Sequence, residues 1–266
     1  MNARAAAKRL TRDTNGDGEI DQYGLVLMGG DKGGFAYRMV PFFYKAGVNF
    51  MSDDLSKIES NSPMGVETIA LFAQMYQVDH SITPGFLAYG PTETNDMVCG
   101  NKAAMAIEGP WMRGMVGAKN PSTKLVIVPV LVPDAMIDRY DTAPTLQDMV
   151  MYSLNAHSKN LDAAWEFIKY LRYEEADIDW VKIDRGGLAV TNAALASPEA
   201  QKVQDLAMFI RELKHARPFP AHPKIIALAS NTFTPFCQKA IVGDLTPQDA
   251  LDQAAREAQR TIEGKE

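Results

Sequence analysis

The sequence predicts an α/β protein, and three observations carry that expectation. The stretch Gly100–Arg113, GNKAAMAIEGPWMR, reads as a short alternating strand, a break and a helix start. Apolar runs of strand length, Leu25-Val26-Leu27 and Leu125 to Val130, stand between segments of helical period. Ser62-Pro63, Ser197-Pro198 and Thr246-Pro247 each set a hydroxyl N-cap before a proline at the first helical position.

At 266 residues the chain can bury a sizeable core, as one large domain or two small ones. Its 46% apolar and 23% charged content is that of a globular protein. A net charge of −6 and a pI near 5.3 argue against nucleic acid or an anionic membrane as the main partner, since both select basic surface. The two cysteines, Cys99 and Cys237, could form one disulfide or remain buried thiols; neither sits in a C-x-x-C or C-x-x-H pattern. No apolar run reaches bilayer length, and MNARAAAKRLTRD lacks the apolar core of a signal peptide.

Taken in order, Ala3 to Leu10 is helical in composition and leads into Asp13-Thr14-Asn15-Gly16-Asp17-Gly18-Glu19-Ile20-Asp21. This run follows the calcium-loop pattern, with ligands expected from Asp13, Asn15, Asp17, the Glu19 carbonyl and Asp21. Position 12, where an EF-hand has a bidentate glutamate, is Gly24, so the alternative is an acidic turn without metal. Gly29-Gly30-Asp31-Lys32-Gly33-Gly34 lacks phosphate-loop spacing and reads as a flexible loop before a helix from Phe35 to Tyr44.

The helix capped by Ser62 should bury Val66, Ile69, Ala70, Ala73 and Tyr76, and a short helix from Glu93 to Cys99 should end on a left-handed Gly100. The strand that follows stops at Gly109-Pro110, and Trp111 is then the first large group in the next helix turn. Its indole either stacks on the apolar face of a sugar ring or wedges under that helix as core. Leu125–Val130 reads as a buried strand leaving at an edge through Pro129 and Pro133, and Met149–Leu154 as a further strand. Asn160 should cap a helix that buries Leu161, Ala164, Ile168 and Leu171, with Trp165 in the core. Val203, Leu206, Ile210 and Leu213 point inward on the helix after Ser197. Ile225 to Ile241 is helical with an interruption near Pro235, and the closing helix turns Ala250, Leu251, Ala254, Ala258 and Ile262 inward.

The spacing G-N-K-A-A-M-A-I-E-G-P-W resembles the signature of family 1 extracellular solute-binding proteins, the carbohydrate-binding components of ABC importers and a family that includes maltose-binding protein. Ser158-Lys159-Asn160 with Ala163-Ala164-Trp165-Glu166-Phe167-Ile168, Gly187-Leu188-Ala189-Val190 and the closing Ala250-Leu251 resemble further family motifs in the right order. The resemblance implies a type II periplasmic-binding-protein fold: two α/β lobes with a hinge, closing on ligand, with the first part of one lobe and the export signal missing from this chain. It implies that 1–143 and 216–266 form one lobe and 144–215 a piece of the other, with hinge crossings at Asp134–Pro144 and Arg217–Pro223.

By the same resemblance Trp111 stacks on sugar, Tyr37 falls on a second stacking position, and Gln147 and Asp148 sit at a strand entry facing the ligand. Glu108 and Arg113 flank the indole in sequence and complete the expected set. Ser230 stands where maltose-binding protein has another aromatic, which argues against maltose-like ligands specifically. The implied partners are a sugar or oligosaccharide and membrane permease subunits, in the periplasm or at the cell surface, with no cofactor required and calcium as an option. A half-lobe lacking sheet partners would also self-associate through exposed apolar edges. The rivals are a glycoside-acting enzyme, for which Glu108 and Asp148 could be cast as the carboxylate pair, and a binding protein for a polyol or glycerol phosphate using Arg38 and Arg113.

Overall fold

The computed structural model describes residues 3–148, 151–182, 188, 189, 191–203 and 206–265. They divide into two compact units, the first made of Met1–Ile107, Val130–Leu146 and His215–Glu266, the second of Glu108–Pro129 and Gln147–Lys214. These bounds differ from the expected 1–143, 144–215 and 216–266. Residues 108–129 go with the second unit, because the backbone pairing of 103–106 ends before Gly109-Pro110.

The first unit contains α1 (Ala3–Leu10), α2 (Lys32–Lys45), α3 (Pro63–Gln77) and α4 (Pro91–Cys99). The second contributes α5 (Met112–Lys119), α6 (Leu161–Leu171), α7 (Glu174–Lys182), α8 (Asn192–Ala196), α9 (Pro198–Gln201) and α10 (Leu206–Leu213). The chain then returns to the first unit with α11 (Ile225–Ala227), a π-helical turn at Leu228–Phe233, α12 (Thr234–Val242) and α13 (Pro247–Ile262). The predicted interruption is that π turn. Pro235 has no N–H for the ladder, and Thr234 Oγ1 donates to Ala229 O at 2.9 Å inside the widened turn.

In the first unit a three-segment parallel pairing replaces full strands. Tyr23 N–H donates to Lys102 O at 2.9 Å, Ala104 N–H to Tyr23 O at 2.9 Å and Val26 N–H to Met105 O at 3.0 Å. On the other side Leu25 N–H reaches Ser81 O at 2.9 Å and Thr83 N–H returns to Leu25 O at 3.1 Å. Two of these segments were expected; Ser81–Thr83 was not, being too short to show alternation. Helices α2, α3, α12 and α13 pack into one core around Phe35, Phe43, Phe72, Phe86, Ile69, Ile241 and Leu251. Phe233 lies 4.7 Å from Phe50 and 5.3 Å from Phe43, centroid to centroid, in edge-to-face contact.

Caps follow the sequence closely. Ser62 Oγ accepts from Gly65 N, Ser197 Oγ from Ala200 N and Thr246 Oγ1 from Asp249 N. The end of α4 departs from expectation: Gly100 has φ −83° and Asn101 takes the left-handed position at φ 56°, a conformation asparagine tolerates. The glycine loop departs too. Gly29 N–H and Gly30 N–H donate to Phe86 O and Tyr89 O, both at 2.9 Å, and a Cβ on Gly29 would stand 2.7 Å from Phe86 O. The loop is therefore seated by close backbone approach, and Asp31 Oδ1 caps α2 by accepting Gly34 N–H.

The second unit has a small core of Ala189, Ala194 and Ala200 with Ile178, Leu195, Val203 and Ile210 packed against it. Asp177 is fully buried there, accepting from Thr191 N at 2.8 Å, Thr191 Oγ1 at 3.0 Å and Arg172 Nη1 at 3.5 Å. Leu125–Val130 is a correction: it pairs with no strand among the described residues, and Val126 is 78% exposed. The buried stripe on α6 is another, since no residue of that helix is buried and Trp165 is 51% exposed. Both stretches have the apolar pattern of a covered face, but no described element covers them. Met149 and Val150 lie outside the described residues, as do Gly186, Gly187 and Val190; residues 151–154 form no ladder among the described residues.

The expected hinge crossings also move. Asp134–Arg139 is a 3₁₀ helix of the first unit, and Arg217 N–H donates to Thr145 O at 2.8 Å while Leu146 bridges Arg217 in parallel. That pairing keeps both segments in the first unit. The chain passes between units after Ile107, Pro129, Leu146 and Lys214.

Candidate functional site

The Gly109-Pro110 break delivers Trp111 as the N-cap residue of α5, with helical φ −62° and ψ −24°. Its indole is 40% exposed, so it is not sealed under the helix. Two neighbours fix the ring. The indole Nε1–H donates to Glu108 Oε2 at 3.1 Å. The ring folds back over Gly109, where an added Cβ would lie 2.1 Å from Cζ3. Glycine is required there because any side chain would drive the ring off its seat. A tethered, half-open aromatic face is suited to the C–H surface of a sugar ring, and it is held without loss of side-chain freedom on binding.

The other expected residues are placed as follows. Gln147, half-buried, and Asp148, exposed, open the second stretch of the same unit as Trp111. Arg113, the second residue of α5, lines a cavity of about 460 Å³ with Val116, Thr123, Lys124 and Val126. Tyr37 belongs to the first unit, on α2, where its ring meets Phe219 edge-to-face at 5.1 Å and 84°. Arg38 Nη1 donates to Gly34 O at 2.9 Å. The structure thus brings Glu108 and Trp111 into direct contact.

The acidic loop is closed by its own backbone. Asp13 accepts from Gly16 N at 2.6 Å and Gly18 N at 2.8 Å, and Asp21 from Thr14 N at 2.7 Å and Thr14 Oγ1 at 2.8 Å. These N–H groups favour the charged form and hold the Asp13 carboxyl below its ordinary range; hydrogen bonds from Thr14 do the same for Asp21. Among the described residues no three His, Cys, Asp or Glu side chains gather as a metal cluster. The loop as folded is an acidic turn in which Asp13, Asn15 and Asp17 each accept backbone N–H groups. Cys99 and Cys237 are both buried and unbonded to each other, and burial pushes the Cys237 thiol well up.

Sequence reasoning missed a second polar concavity, wholly within the first unit. Tyr44, Asn49, Met136, Arg139, Thr142 and Arg217 are among the residues around a cavity of about 300 Å³. The two arginines come from segments far apart in the chain, and neither belongs to a motif.

An α/β fold that holds one indole open beside a carboxylate has the make-up of a protein that binds small polar molecules. The chain belongs to the bacterial extracellular solute-binding protein family, whose model matches residues 11–208. A maltotriose-binding protein of Pyrococcus abyssi is 26% identical over 127 residues, 48% of this chain and 27% of that protein. The maltose/maltodextrin-binding domain MalE of Bdellovibrio bacteriovorus, solved bound to maltotriose, superposes with a TM-score of 0.79 at 26% identity, over 98% of this chain and 65% of that one. The GacH receptor of Streptomyces glaucescens shares the fold, with a TM-score of 0.81 at 20% identity over 98% of this chain and 62% of its own. The fold is therefore the two-lobed α/β fold of these binding proteins, and this chain spans under two thirds of their length. Among the described residues no helix is long and apolar enough to cross a membrane.

Proposed function

We propose that this chain is the substrate-binding component of an ABC importer, or a large part of it, that captures a sugar or short oligosaccharide and delivers it to a membrane permease outside the cytoplasm. The observation that carries the reading is the Trp111 indole, exposed and tethered to Glu108 inside the span matched by the family model. The family relationship and the maltotriose bound by relatives at 26% identity support a carbohydrate as ligand. Trp111 supplies the stacking face, while Gln147 and Asp148 offer groups for sugar hydroxyls. Binding proceeds without chemistry and needs no cofactor. Glu108 spends an oxygen on the indole N–H, which suits a positioning carboxylate better than a catalytic one.

A thermal-shift screen with maltotriose, ribitol and monosaccharides tests this, since a ligand bound only by the native state raises Tm by mass action. A carbohydrate is expected to raise Tm, and Trp111→Ala to weaken that ligand about tenfold, as loss of a stacked aromatic contact does. Absence of any shift, together with turnover of a chromogenic glycoside, would overturn the reading in favour of an enzyme.

A further inference from the structure

The cavity between the end of α2, the 3₁₀ helix at Asp134–Arg139 and the segment at Arg217 carries charge of one sign. Its lining includes two guanidinium groups, Arg139 and Arg217, and no carboxylate. Asp138 and Asp141 flank Arg139 in sequence, yet neither lines the cavity. Neither guanidinium makes an ion pair or a side-chain hydrogen bond among the described residues. Behind the wall lies a third cation: Lys45 is fully buried, with Nζ 3.4 Å from Tyr140 O and 5.9 Å from the Tyr140 ring centroid.

The backbone that presents these groups is well fixed. Arg139 O accepts from Thr142 N at 3.0 Å and from Ala143 N at 2.6 Å, and the bond from Arg217 N–H to Thr145 O locks the opposite side. The Tyr44 hydroxyl donates to Pro218 O at 2.9 Å, so its proton is already used. The donors left to a guest are the two guanidinium forks and the Asn49 amide. Like charges gathered around a concavity repel one another and create a positive potential that an anion relieves. A cavity of about 300 Å³ admits a small molecule and is at the low end for larger ligands.

We propose that this cavity of the first unit is a binding site for a small oxyanion, a carboxylate or phosphate group held by Arg139 and Arg217 with Asn49 completing the contacts. Planar guanidinium groups match such oxygens in two-pronged fashion, which a lysine pair would not. Anion binding here is independent of carbohydrate binding, and its failure would leave the sugar reading untouched.

The test is calorimetric titration of the full chain at low ionic strength, without sugar, using inorganic phosphate in one arm and acetate in the other. At least one of the two is expected to bind, with roughly tenfold loss in Arg217→Gln and more in the Arg139→Gln/Arg217→Gln double variant, because charge-assisted bonds dominate. Added sodium chloride should weaken binding, as screening requires. Far-UV circular dichroism checks that each variant is folded, and Arg217→Lys should retain part of the affinity. Binding of phosphate alone assigns a tetrahedral guest, and of acetate a planar one. No heat with either anion, or equal affinity in the folded double variant, overturns the proposal. In that outcome the arginines serve only to neutralise the C-terminal end of α2.

Discussion

At position 111 three neighbouring residues do different work, and substitution separates them. Trp111 offers the face, Glu108 holds the ring by one hydrogen bond, and Gly109 leaves room beneath it. Glu108→Ala should lower carbohydrate affinity several-fold, and far less in a Trp111→Ala background, because a residue acting through another gives non-additive effects. Gly109→Ala should cost as much affinity as losing the indole, since its Cβ would occupy the ring's place. Titration calorimetry of the wild type, the three single variants and the Glu108→Ala/Trp111→Ala double variant measures both, and additive losses for Glu108 and Trp111 would show independent roles. The break and the indole were legible because glycine and proline mark chain direction locally. Asn101 was less so: a glycine beside it invited the left-handed assignment, and only the folded backbone shows which residue takes it. Arg139 and Arg217 were invisible, because the cavity they share is made by tertiary pairing of distant segments.

Among elements, α1 is tied by ion pairs to one carboxylate just beyond the end of α3. The Asp79 side chain is almost wholly covered and is paired with Arg4 at 2.5 Å and Lys8 at 3.3 Å. Hydrogen bonding from Arg4, the largest cause, holds it below the ordinary value of 3.8. A carboxyl depressed in the folded state contributes stability that is complete above its unfolded pKa and is lost as pH falls through the lower folded value. Asp79→Asn should therefore cost about 1–3 kcal/mol at pH 7, typical of hydrogen bonds to charged groups. The cost should shrink progressively below pH 3.8. Urea melts of both proteins across that range measure it, and a pH-independent difference would assign the effect to packing. Helices with a cap, a proline and a continuous apolar stripe, such as α3 and α13, could be read directly. Helix α6 carries an equally clear stripe, yet periodicity says only which face wants cover and not whether a covering element is at hand.

For the molecule as a whole, apolar surface is distributed unequally. In the second unit Val126, Val128, Met151, Trp165, Phe167, Tyr170 and Tyr173 are exposed, whereas the first unit closes around a single aromatic core. Exposed apolar faces and unpaired extended segments invite association with like surfaces. Light scattering at rising protein concentration should show oligomers that Phe167→Glu with Tyr170→Lys reduces, while a monodisperse monomer would contradict this. The number of crossings between units was not legible either, because the pairing of Leu146 with Arg217 joins segments far apart in the chain.

The division into two units has a practical consequence for following them. All three tryptophans, Trp111, Trp165 and Trp180, lie in the second unit, and both cysteines, Cys99 and Cys237, lie in the first. Intrinsic fluorescence consequently reports one half of the molecule, and thiol labelling by a maleimide dye reports the other, with no engineered probe. If the halves melt independently, the emission transition and the onset of labelling will fall at different denaturant concentrations. If they coincide, the chain behaves as one cooperative body despite its divided contacts.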